Sequence, residues 1–183
     1  MPSYDDLIEQ IELPQCQCLN AASEHTLRHC LEAEQREEAG TYLESDADEE
    51  LLITLKFMQA VRISGLIVST ASGSTDSAPK NLKLFVNKVG LDFDSARSDK
   101  CVQEVELTKA EAVGGARVEL RFVNFQGVQE LGIFVGSNQG DEELTRISKL
   151  VVLGELVQHS GMKRTAEQQA SASKGDWLGK GVA

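Results

Sequence analysis

From Leu51 onward, apolar residues recur in short bursts with a period nearer two than 3.6, separated by turn-forming residues. Residues 51–57 place Leu51, Ile53, Leu55 and Phe57 on one face of a strand, because successive side chains of a strand point to opposite faces. Residues 61–70 carry Ile63, Leu66, Ile67 and Val68. Gly65 interrupts their alternation, a sign of a bulge or a close backbone approach. Residues 81–87 set Leu82, Leu84 and Val86 against Lys83 and Phe85. Residues 101–107 read as a half-buried strand, residues 118–123 alternate almost strictly, and residues 131–135 and 147–153 are apolar and β-branched. Seven short strands with Gly, Asn, Asp, Ser or Pro in most gaps predict an antiparallel sandwich or barrel. Parallel βαβ units would need long helical crossovers instead. The longer gaps, 71–80 and 88–100, are predicted as surface loops, where binding residues of such folds tend to lie.

The first 50 residues differ in kind. Residues 5–11 have the length of one or two helical turns. Residues 23–38 are predicted as a helix with Ser23 as N-cap, its hydroxyl accepting from the free amides of the first turn. Leu27, Cys30 and Leu31 form one narrow apolar stripe and residues 32–40 are polar, so this helix would be held by docking and not by propensity. The pattern dissolves after Leu156. Residues 158–183 form a Ser/Ala/Gly/Lys/Gln tail too poor in apolar surface to order itself, with Trp177-Leu178 its one bulky apolar pair. The expected organisation is an acidic segment, 1–50, docked on a domain spanning 6–157, with a flexible tail from 158 to 183.

Charge changes the picture. Of 183 residues, 29 are Asp or Glu and 18 Lys or Arg. Residues 1–60 hold 14 of the acids and 3 of the bases, and so carry the whole net charge of −11. Such a surface repels phosphate, which argues against nucleic acid as a partner. Basic protein surfaces are its natural complement, and a solvated acidic face is the plainer alternative. No stretch reaches the ~20 apolar residues that cross a bilayer. The acidic start, MPSYDDLIEQIELP, has neither the basic n-region of a secretory signal nor the arginines of a transit peptide. A cytoplasmic monomer, with the nucleus as a second location, is expected, with Cys16, Cys18, Cys30 and Cys101 as reduced thiols.

The common catalytic motifs fail at named residues. Gly136-Ser137-Asn138-Gln139-Gly140 has the glycines of a hydrolase elbow but places serine at the second position. No phosphate-binding glycine loop is present. Cys16-Gln17-Cys18 is not the C-x-x-C of a redox site. His25 and His29 share a helix face near Cys16, Cys18 and Cys30, but their spacing matches no standard zinc pattern. The acidic run 44–50 would need Gly where Leu51 stands to be an EF-hand. Asp141-Glu142-Glu143 has no convergent partner for acid/base work. The reading is of a chain without cofactor, metal site or catalytic residue.

One series of segments is more specific. Cys18-Leu19-Asn20 is followed by Leu43-Glu44-Ser45-Asp46-x-Asp48-Glu49-x-Leu51-Leu52-Ile53, and Phe85-Val86-Asn87 by Leu91-Asp92-Phe93. Arg121-Phe122-Val123-x-Phe125-Gln126, Ile133-Phe134-Val135-x-Ser137-Asn138-Gln139-Gly140 and Glu142-Glu143-x-Thr145-Arg146-Ile147 come next, in order. The series resembles the PITH domain, the proteasome-interacting module named from the C-terminal half of a thioredoxin-like protein. The resemblance spans residues 6–157 and is to the stand-alone members of the family, so thioredoxin chemistry is not implied. It implies an all-β jelly-roll β-sandwich similar to galactose-binding domains, and binding to the regulatory particle of the 26S proteasome. Residues 33–41 are long and Glu-rich for the pattern and read as an insertion.

The leading functional expectation is a non-catalytic protein-interaction module. Its candidate surface is the acidic turn with Glu44, Asp46 and Asp48, and the loop with Ser137, Asn138, Gln139, Glu142, Glu143, Thr145 and Arg146. Arg146 would pair bidentately with carboxylates of a partner. The alternative is that Asn138 and Gly140 merely shape a turn while Arg146 pairs internally with Glu143 or Asp46. A carbohydrate- or small-ligand-binding sandwich is the second class, weakened by a total of nine aromatic residues. A partner-anchoring role for Trp177-Leu178 is a further expectation.

Overall fold

In the computed structural model, which describes residues 4–157, a single strand organises the architecture: β4, Leu51–Ser69, 19 residues long. Before it come β1 (Asp5–Asp6), β2 (Gln17–Leu19), the helix α1 (Leu27–Leu31) and β3 (Leu43–Glu44). After it come β5 (Pro79–Val86), α2 (Phe93–Ser98), β6 (Gln103–Glu106), α3 (Lys109–Gly114), β7 (Arg117–Glu119), β8 (Val128–Asn138), β9 (Arg146–Ile147) and β10 (Lys149–Leu156). The main sheet runs β1-β10-β4-β8-β5-β6, with β2 and β7 also paired to β4, and β3 pairs with β9 apart from it. The registered pairs are antiparallel.

Two predicted strands are thus one. The residues between them, Met58-Gln59-Ala60, contain no Gly, Pro, Asn or Asp, so nothing there makes a turn. The chain stays extended and changes partner instead. Leu51–Lys56 pairs with β8, the register shifts, and from Val61 onward the strand pairs with β10.

The predicted faces of β4 and β5 hold. Leu51, Ile53, Leu55, Leu82 and Leu84 enter the main core. Leu52 and Phe85, on the opposite faces, are buried as well, with Phe134, Leu91 and Ala96. The cover on that side is α2, which lies inside the predicted loop 88–100. Asp92 caps it, its carboxylate accepting from the Ser95 amide at 2.8 Å. Gly132 allows the approach, since a Cβ there would lie 2.6 Å from Leu91 Cδ2.

Three other expectations are corrected. The helix predicted over 23–38 is reduced to Leu27–Leu31, beginning after Thr26 and not at Ser23. The stripe Leu27, Cys30 and Leu31 is buried as expected, but the polar stretch beyond it offers no face to dock, and a 3₁₀ turn, Gln35–Glu37, replaces the helix. The alternating segment 118–123 leaves the sheet at Glu119. A 3₁₀ turn at Phe122–Asn124 then swings Phe125 into the core while Val123 stays 80% exposed. The loop 71–80 gives up its last residues to β5 and carries a 3₁₀ turn at Ser72–Ser74. The turns expected in 5–11 are present, as a 3₁₀ helix at Leu7–Gln10 capped by Asp6. The predicted tail and Trp177 lie outside the described residues.

Candidate functional site

The acidic turn after β3 and the loop after β8 are far apart in sequence and meet at one end of the sandwich. The β3–β9 pair joins them, with Glu44 opposite Arg146. Ser45 and Thr145 lock the pair from inside. The Ser45 amide donates to the Thr145 carbonyl at 3.0 Å, and the Thr145 amide donates to Ser45 Oγ at 2.9 Å. Thr145 Oγ donates to the Glu49 carbonyl at 2.7 Å. Both side chains are fully buried, so each hydroxyl must find its partner within the protein.

Two asparagines shape the loops. Asn20, in the left-handed region at φ 66°, donates to Asp48 Oδ1 at 2.8 Å and to the Glu50 carbonyl at 2.7 Å. Its own Oδ1 accepts from the Ala47 amide at 3.0 Å, so residues 46–50 fold around one side chain. Asn138 does the same for the second loop. It is 1% exposed, donates to the Glu142 carbonyl at 2.8 Å and accepts from the Glu142 amide at 2.8 Å. Ser137 Oγ accepts from Asn81 at 2.8 Å, and Gln139 Nε2 donates to the Leu107 carbonyl at 2.6 Å.

The ten predicted site residues therefore divide. Asn138 and Thr145 are interior, and Ser137 and Gln139 are tied to neighbouring strands and turns. Arg146 pairs with Glu44, which is neither the partner carboxylate nor the internal Glu143 or Asp46 expected from sequence. That hydrogen bond pushes its guanidinium further above the ordinary value. The Arg146 guanidinium also lies 5.0 Å from the centre of the Tyr42 ring, and His25 stacks on Tyr42 at 4.2 Å. The sequence reading missed Tyr42 and His25 as parts of this end, and no local signal links them. Asp46, Asp48, Glu142 and Glu143 remain exposed, together with Asp141. A depression of about 260 Å³ lies among Glu49, Ser137, Asn138, Asp141, Glu142 and Glu143.

Among the described residues, no three His, Cys, Asp or Glu side chains stand together as a metal site. The His25 and His29 rings are 6.4 Å apart, edge to face, and Cys30 is buried. Burial pushes the Cys18 thiol up to about 12 and raises Cys30 as well, so neither is a ready thiolate. No described helix is long and apolar enough to cross a membrane.

The PITH domain family model matches residues 1–171. The chain belongs to the PITH family. Thioredoxin-like protein 1 of Schizosaccharomyces pombe is 36% identical over 162 residues, covering 87% of this chain and 54% of that protein. This PITH domain therefore spans about half of the yeast relative's length. The Drosophila melanogaster PITH domain-containing protein CG6153 is 35% identical over 153 residues, covering 83% of this chain and 70% of that one. Among solved structures, the family 32 carbohydrate-binding module of Clostridium perfringens NanJ, in complex with galactose, superposes with a TM-score of 0.60 at 9% identity. The match covers 82% of this chain and 98% of that one. An F5/8 type C domain from Bacteroides fragilis gives 0.57 at 13% identity over 85% of this chain and 97% of its own. At such identities the likeness is one of fold. This PITH domain is an all-β jelly-roll sandwich with the fold of these domains.

Proposed function

We propose that this PITH domain is a non-catalytic docking module whose acidic end engages a basic protein surface, with the regulatory particle of the 26S proteasome as the partner that the family resemblance suggests. The observation that carries the reading is a set of exposed carboxylates on loops whose backbones are already tied down. Asp46, Asp48, Asp141, Glu142 and Glu143 project from turns held by Asn20, Asn138, Ser45 and Thr145. A surface ordered before encounter loses less conformational entropy on binding. Its single sign of charge steers a basic partner and repels nucleic acid.

A saccharide is the alternative suggested by the fold. Against it, no aromatic ring lines the depression at this end to supply a stacking platform. The test is retention of purified regulatory particle on immobilised protein at low and high salt. The parent is compared with a triple variant, Asp46→Asn, Glu142→Gln, Glu143→Gln, whose side chains hold nothing together internally. Salt-sensitive retention that the triple variant loses is the expected result. A parent that retains no particle at low salt removes the proteasome assignment. A triple variant that retains as much as the parent moves the contact elsewhere on the domain. Heat released on adding galactose by calorimetry would favour the saccharide.

A further inference from the structure

A second concavity, sharing no residue with the acidic end, lies between β2 and α1. It encloses about 380 Å³ and is lined chiefly by apolar atoms of Leu13, Cys18, Ala21, Ala22, Leu27 and Leu31. β2 pairs with β4 at Leu52–Thr54, and the groove runs past it toward the segment that leads into α1.

We propose that this groove is the docking site for Trp177-Leu178 of the same chain, which lies outside the described residues. Two observations point to this occupant. The first is reach. The Val157 amide bonds to the Ala60 carbonyl, only six residues along β4 from Thr54, which places the start of the tail roughly 20 Å from the β2 end. The twenty steps from Val157 to Trp177 span up to about 65 Å when extended. The second is composition. Trp177-Leu178 is the one bulky apolar pair in residues 158–183, and the groove is the apolar concavity nearest in character to what an indole ring fills. Tethering makes a weak contact sufficient. A linker of this length sets an effective concentration on the order of 1 mM, so any local affinity tighter than that keeps the groove filled more often than empty. A partner that binds the groove must then displace the tail, and one that binds Trp177 must pull it away.

Trp177 is the chain's single tryptophan, so its fluorescence reports the contact directly. The full chain is expected to show blue-shifted emission and quenching by acrylamide reduced at least about two-fold relative to an unfolded control. Ala22→Arg, which puts a charged side chain into the groove, is expected to abolish both effects. In ¹H–¹⁵N spectra of the full chain, Trp177→Ala and Leu178→Ala are expected to move the amides of Ala21, Ala22, Ser23 and Thr26. Solvent-exposed emission in the folded parent overturns the proposal. So do amide shifts that map away from these residues, because the tail then docks elsewhere, and a blue shift that grows with protein concentration, because the occupant is then a second copy. If Ala22→Arg fails to fold, the tail variants decide the matter alone.

Discussion

Replacing Asn138 with alanine isolates what holds the acidic loop in place. The side chain is 1% exposed and exchanges two 2.8 Å hydrogen bonds with the Glu142 backbone, with longer contacts of 3.3 Å to the Leu144 carbonyl and Thr145 Oγ. A net hydrogen bond contributes about 1 kcal/mol, so the two short bonds account for about 2 kcal/mol. Glu142 is exposed and water can take over its freed amide and carbonyl, which keeps the total near that figure. The small void left beneath the loop adds up to about 1 kcal/mol. At about 2–4 °C per kcal/mol for a domain of this size, the melting temperature should fall by about 4–12 °C. Asn138→Asp should be at least as damaging at neutral pH, because it aims a carboxylate at the Glu142 and Leu144 carbonyls. The assay is far-UV circular dichroism melting with urea titration as a check, since the one tryptophan lies outside the described fold. A drop of less than about 2 °C in both variants would refute the account of Asn138 as the clamp. Glu142→Gln on the same loop should leave the melting temperature unchanged, because its side chain bonds to nothing in the described structure.

Other outcomes follow from the same geometry. Gly154→Ala should cost about 3 kcal/mol by urea unfolding. The new Cβ would sit 2.0 Å from the Arg62 carbonyl oxygen at the register shift between β10 and β4, where only backbone movement relieves it. A double-mutant cycle of Arg146→Ala and Glu44→Ala should give a coupling of about 0.2–1 kcal/mol, because the pair is partly exposed; a coupling of zero would mean that the ion pair contributes nothing to stability. Stability should fall on acidification. Glu37 is held below the usual carboxylate range by the Lys149 bond, Asp92 by the Ser95 hydroxyl, Asp99 by Lys88, and Glu111 by the Thr108 amide. Depressed folded values contribute stability that is complete above the unfolded values of about 4 and is lost as pH falls through the lower folded ones. Urea midpoints should therefore be flat from pH 7 to 5 and drop below about pH 4. A quadruple Gln/Asn variant at these positions should show a shallower drop.

Local patterning carried much of the fold. Alternation placed Leu51, Ile53, Leu55, Leu82 and Leu84 on core faces, and the structure buries each of them, because the direction of a strand side chain depends on its neighbours in sequence alone. The helices α2 and α3 were not predicted; their capping pairs, Asp92 with Ser95 and Thr108 with Glu111, are seen in the structure. Six residues do not form a helix in water unaided, and what stabilises α2 is the second apolar face of β4 and β8 beneath it. The candidate end was half legible. The motifs that resemble the PITH pattern named two loops that the fold brings to one end, but residue type did not separate the inward Asn138 and Thr145 from the outward Asp46 and Glu142.

By itself the sequence determined an antiparallel β domain, its acidic balance and the family to which it belongs, since those follow from composition, alternation and short motifs. Tertiary structure decided three things that depend on partners distant along the chain. It fused residues 51–57 and 61–70 into one strand, by giving each half a different neighbour. It paired Glu44 with Arg146, 102 residues apart. It also assigned the polar residues of the two loops to interior bonds or to solvent, because burial is a property of what packs above a residue and not of the residue itself.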